Sequence, residues 1–97
     1  MNFDFAGQTV VVTGAAHGFG RGIALAFAAL GGKVWACDLN TEGLAETEAK
    51  AQALAGSLYT RTADVSDKDA VAALVQEAAS ASGRVEVLVN NAGGVLG

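Results

Sequence analysis

The chain has 97 residues, 52% apolar and 16% charged, which allows one small core and excludes a disordered polypeptide. A net charge of −4 leaves no electrostatic footprint for DNA or RNA, no apolar run reaches bilayer-spanning length, and Met1-Asn2-Phe3-Asp4 lacks the basic start of a signal peptide. One cysteine, Cys37, and one histidine, His17, make neither a disulfide nor a tetrahedral zinc site, so no metal is expected and a reducing cytoplasm is the expected compartment.

Short β-branched runs alternate with longer helical segments. Gln8–Thr13 holds Val10, Val11 and Val12, a continuous apolar run of strand length. Gly14–Gly20 reads as a turn. The helix after it sets Ile23, Phe27 and Leu30 on one face and ends at Gly31 and Gly32. Gly22 lies inside that helix, where close packing on a strand is the expected compensation for its intrinsic cost. Lys33–Asp38 is the second strand, centred on Val34, Trp35 and Ala36.

A second helix is predicted over Thr41–Ala55, with Asn40 as N-cap, Leu44, Thr47, Ala51 and Leu54 on its inner face, and Gly56 closing it. Leu58–Ala63 is a third, more polar strand. Ser66-Asp67-Lys68-Asp69 reads as a capping-box-like start, followed by a helix whose Val71, Leu74, Val75 and Ala78 face inward and which Gly83 ends. Val85–Val89 is the fourth strand.

The order β-α-β-α-β-α-β implies parallel strands with right-handed crossovers. This is the α/β, Rossmann-type doubly wound sheet, first half only, with expected spatial order 3-2-1-4. A polar third strand suits one edge. The fourth is apolar on both faces, like an internal strand, yet would stand at the other edge. Such a sheet looks interrupted, so the chain reads as one α/β domain truncated before a further segment.

Thr13-Gly14-Ala15-Ala16-His17-Gly18-Phe19-Gly20 lies directly between strand and helix. A helix N-terminus presents unpaired N–H groups and the positive end of the dipole, so it suits a pyrophosphate, and glycines let phosphates approach the backbone. The alternative reading is helix–strand packing alone. Asp38 ends the second strand about twenty residues on, where a carboxylate accepts both adenosine ribose hydroxyls and repels a 2′-phosphate. Its alternative is a surface aspartate capping the next helix. Neither Cys37 nor Leu39 supplies a base for a phosphorylated ribose, so NAD is preferred over NADP; a protonated His17 is the one feature that points the other way.

Thr13-Gly14-x-x-x-Gly18-x-Gly20 resembles the cofactor fingerprint of the short-chain dehydrogenase/reductase family. Asp64-Val65 resembles that family's adenine-binding dipeptide, and Asn90-Asn91-Ala92-Gly93 matches its N-N-A-G motif. All three stand in the family's order, each at a strand's C-terminal end. The resemblance implies that Gly14, His17, Gly18, Phe19 and Gly20 wrap the pyrophosphate and adenosine ribose. Asp38 would hold the ribose hydroxyls with the Leu39 backbone beside it. Asp64 would accept from the adenine amino group while the Val65 backbone reads the ring edge. Asn90, Asn91, Ala92 and Gly93 would line the cofactor's ribose side and brace the sheet; for Asn90 and Asn91 a purely structural role stays open.

The family's chemistry is hydride transfer between nicotinamide and a carbinol carbon, with a Tyr-x-x-x-Lys pair and a serine. Here the one tyrosine, Tyr59, is followed four residues on by Ala63. No catalytic residue is assigned, and the chain alone is expected to turn nothing over. The complete protein would be an NAD-dependent oxidoreductase acting on a secondary alcohol, polyol or sugar hydroxyl and its carbonyl, homo-oligomeric by family resemblance. A redox-sensing dinucleotide module, or an assembly in which another chain completes the sheet, are the alternatives.

Overall fold

The computed structural model describes residues 5–91. Four strands, β1 (Thr9–Thr13), β2 (Lys33–Asp38), β3 (Ser57–Thr62) and β4 (Val87–Asn90), alternate with α1 (Gly18–Ala29), α2 (Thr41–Ala51) and α3 (Lys68–Ser82). All pairings are parallel, and the sheet runs β3-β2-β1-β4. The expected topology is the observed one.

Every residue of β1 is buried, and its valines alternate between two cores. Val10 and Val12 join Val34, Ala36, Ala24, Ala28 and Leu44 under α1 and α2; Val11 joins Trp35, Cys37, Leu74 and Ala78 under α3. Two-sided burial explains why β1 reads as an unbroken apolar run. β3 stands at the edge, where the polar Thr60, Arg61 and Thr62 discourage further pairing. Arg61 lies 5.0 Å over the Trp35 ring and is held by Glu77, while Tyr59 stacks on Trp35 at 4.8 Å. The Arg61 guanidinium keeps the Glu77 carboxyl below its ordinary range.

Several local expectations are corrected. The inner face of α1 is Gly20, Ala24 and Ala28; Ile23 and Phe27 pack at its margin, and Leu30, the C-cap, is 41% exposed. Small residues win because they let the helix sit closer to the strands. Gly22 meets nothing within 4 Å of where a Cβ would stand, so packing does not compensate it. α2 stops at Ala51, with a turn before Gly56. α3 is capped by Asp67, which accepts from the Asp69 and Ala70 N–H groups, because Ser66 is engaged by Asp64 instead. Asn40 does cap α2, through Gly43 N–H, and Gly83 ends α3 in the left-handed region.

Among the described residues no helix is long and apolar enough to cross a membrane.

Candidate cofactor-binding site

Parallel pairing puts the C-terminal ends of all four strands on one edge of the sheet, and the loops leaving β1, β2, β3 and β4 there carry Gly14–Gly20, Asp38-Leu39, Asp64-Val65 and Asn90-Asn91.

The turn after β1 is fixed by backbone geometry. Gly14 and Gly18 have φ of 71° and 59°, the left-handed region that L side chains avoid. Gly20 has ordinary angles but no room: a Cβ there would stand 1.9 Å from the Gly14 carbonyl oxygen. The turn thus folds back so that the start of α1 lies on its own entry. His17 is the N-cap residue, extended, and its exposed side chain accepts no capping hydrogen bond. With no acidic residue in the first turn either, α1 begins without an internal counter-charge, an arrangement that suits an external anion. Phe19, 77% exposed, stands beside it.

Asp38 ties the second strand to this turn. Its Oδ2 accepts from the Ala16 N–H at 3.1 Å and its Oδ1 from the Asn40 N–H at 3.0 Å. Each carboxylate oxygen keeps a second lone-pair direction for an incoming hydroxyl. Leu39 beside it is 61% exposed. Cys37, by contrast, is fully buried; burial, reinforced by the Asp38 charge and opposed by a backbone hydrogen bond from Gly14, pushes its thiol up to about 11. It is a packing residue.

On the β4 side, the Thr13 hydroxyl lies 3.1 Å from Asn90 Oδ1 and accepts from the Asn91 N–H at 2.9 Å. Asn91 Nδ2 reaches toward the Gly14 carbonyl at 3.5 Å. Both asparagines therefore brace the β1–β4 junction directly behind the glycine turn. Asp64 and Val65 leave β3 at the opposite edge of the sheet, one strand beyond Asp38. Asp64 Oδ1 accepts from the Ser66 hydroxyl and N–H, and these bonds hold its exposed carboxyl below the ordinary carboxylate range. Val65 turns its side chain into the core under α3. Ala92 and Gly93 lie outside the described residues. Ala15 and Ala16 bury their methyl groups in the core under α1 and α2, and their polar contacts in the turn run through backbone groups.

The family model described as short chain dehydrogenase matches residues 8–96. The chain belongs to that family. Among similar curated proteins, estradiol 17-beta-dehydrogenase 11 of Macaca fascicularis is 41% identical over 88 residues, 91% of this chain and 29% of that protein. The 7alpha-hydroxysteroid dehydrogenase of Escherichia coli K12 is 34% identical over 93 residues, 96% of this chain and 36% of that one. A metagenomic short-chain oxidoreductase solved with NADP superposes with a TM-score of 0.83 at 39% identity, covering 91% of this chain and 40% of the other. A Burkholderia phymatum short-chain dehydrogenase/reductase solved with NAD gives 0.79 at 37%, over 90% and 31%. The chain thus spans about a third of these relatives and corresponds to the N-terminal, cofactor-binding region of a short-chain dehydrogenase.

Proposed function

We propose that this short-chain dehydrogenase segment is the NAD(H)-binding portion of an oxidoreductase that interconverts a secondary alcohol, polyol or sugar hydroxyl and its carbonyl. The observation that carries the reading is Asp38: a carboxylate at the end of β2, fixed by the Ala16 and Asn40 N–H groups, next to an uncapped helix N-terminus. In that position it receives the hydroxyls of an unmodified ribose, and its charge opposes a 2′-phosphate. Gly14, Gly18 and Gly20 bring backbone close to the pyrophosphate, with His17 and Phe19 at its rim. Asp64 and Val65 stand on the adenine side, and Asn90 and Asn91 on the other; family resemblance extends the cofactor-lining role to Ala92 and Gly93. When bound, the nicotinamide supplies or takes the hydride; the proton chemistry belongs to a Ser, Tyr and Lys outside residues 1–97, so this chain alone binds without turnover. Two relatives named as steroid hydroxyl dehydrogenases support a hydroxyl/carbonyl substrate. An apolar groove between α3 and β4, lined by Val65, Val71, Val75 and Leu88, supports completion of the sheet by further polypeptide. Homo-oligomerisation and a cytoplasmic location complete the proposal.

Calorimetric titration with NAD and NADP tests it. The wild-type chain binds NAD more tightly than NADP. Asp38→Ser weakens NAD by about tenfold, the worth of a hydrogen bond to a charged group, and narrows or reverses the preference. An unchanged preference shows that Asp38 does not meet the ribose.

A further inference from the structure

Arg21 is the first basic side chain after the glycine turn, yet it extends away from the open end of α1 toward α2. Its side chain is only 19% exposed. The Nε donates to Thr47 Oγ1 at 2.9 Å, and Nη2 donates to the Gly43 carbonyl at 3.1 Å, to Glu46 Oε1 at 3.0 Å and to the Ala16 carbonyl. Thr47, fully buried, donates its hydroxyl toward the Ala15 carbonyl at 2.9 Å and the Gly43 carbonyl at 3.1 Å. Gly43 closes the contact: a Cβ there would stand 2.7 Å from both the Cβ and the carbonyl oxygen of Ala16. The first turn of α2 is therefore seated directly on residues 15 and 16.

The consequence follows from peptide planarity. No peptide bond among these residues is cis, so each carbonyl and the following N–H leave opposite edges of one plane. The Ala15 carbonyl goes to Thr47, and the Ala16 N–H accordingly goes the other way, to Asp38. By the same rule, holding the Ala16 carbonyl on Arg21 turns the His17 N–H away from α2. A carbonyl swung into the turn would put a negative dipole end where a phosphate has to sit. Two peptide planes of the glycine turn are thus set by side chains that lie behind it.

We infer that Arg21 and Thr47 are positioning residues: they orient the Ala15–Ala16 and Ala16–His17 peptides for the pyrophosphate and lock that turn to the Asp38 carboxylate. This rests on the reading of the glycine turn as the NAD site. Neither residue touches the cofactor in this account. Preorganisation is the mechanism, since a turn already oriented does not have to be ordered on binding.

The test uses Arg21→Met, Thr47→Val and the conservative Thr47→Ser in the full 97-residue chain. NAD affinity is measured by calorimetry, and amide hydrogen exchange is measured without cofactor. Arg21→Met and Thr47→Val should weaken NAD by about tenfold each, as expected for a lost net hydrogen bond or two, while Thr47→Ser stays close to wild type. In the ligand-free protein, exchange at Ala16 should quicken in the two disruptive variants with the strand amides of Val11 and Val12 unchanged. Wild-type binding that neither disruptive variant alters overturns this inference alone. A wild-type chain that binds no NAD overturns the cofactor reading and this one with it. Loss of protection at Val11 and Val12 in both variants makes the pair part of the core fold and also overturns it.

Discussion

The two sides of β1 are built differently. Toward α1 and α2 the helices meet the sheet through Ala24 and Ala28 and the glycine turn through Gly20 and Gly43, and the strand residues they cover, Val10, Val12 and Val34, are fully buried. Toward β4 the packing uses larger side chains and leaves more open. Val11 and Leu88 are register partners on neighbouring strands, yet Val11 is fully buried and Leu88 is 52% exposed. A groove of about 460 Å³ runs from Leu88 and Asn90 to Val65, Val71 and Val75. Small residues give the cofactor side its close approach and also its intolerance, because a glycine with a carbonyl against it has nowhere to place a methyl group. The β4 side tolerates change because its apolar groups are only partly covered within the described residues.

The largest effect expected from this contrast is at Gly20. Placing a Cβ 1.9 Å from the Gly14 carbonyl oxygen forces backbone to move, so Gly20→Ala should destabilise the chain by about 3 kcal/mol, the upper end for overpacking, and abolish NAD binding. Two residues along the same helix, Gly22 faces open space, and Gly22→Ala should stabilise by about 0.5–1 kcal/mol. Urea denaturation of the two variants decides it; equal effects would remove the distinction.

Cys37 gives a pH signature of the buried side. Its thiol has an ordinary value of 9.0 and is pushed up to about 11 in the folded chain. The folded state therefore binds the proton more tightly, and that contribution is complete below pH 9. It is lost as pH rises from 9.0 toward about 11, where the unfolded chain ionises first. The loss should amount to about 2–3 kcal/mol at 1.36 kcal/mol per pH unit, read as a fall in stability that Cys37→Ala does not show. A parallel fall in that variant would assign the drop to other groups.

The register pair includes the smallest effect, at Leu88. Val11→Ala should cost about 2 kcal/mol, whereas Leu88→Ala should stay within about 0.5 kcal/mol of wild type. Equal losses by denaturant melts would show that β4 is as tightly held as β1.

Element order and strand limits to within about two residues were legible because hydrophobic period and glycine punctuation report them directly, and sheet order followed from the doubly wound fold that this alternation implies. The inner face of α1 was not. Hydrophobicity favours Ile23, Phe27 and Leu30, but the distance between helix and sheet is set by Gly20, Ala24 and Ala28. The α3 cap was misread at Ser66 because the competing partner, Asp64, becomes visible only when the turn is folded. In the site, the glycine spacing and the strand-end position of Asp38 were readable, since each is demanded by local chemistry. Ala15, Ala16, Arg21 and Thr47 were missed as site-shaping residues. Their contacts span 22 to 32 residues or run through backbone atoms, and neither leaves a local pattern.

The central claim is that NAD binds on the strand-end edge built by the glycine turn and Asp38. Titrating NAD into the isotopically labelled chain and following backbone amide resonances tests it most directly. The account predicts progressive shifts at Ala16–Gly20 and Leu39, weaker ones with NADP at equal concentration, and little change at Ala72 and Gln76 on α3. Shifts concentrated instead at Val71, Val75 and Leu88, or none on the glycine turn at saturating NAD, would contradict it.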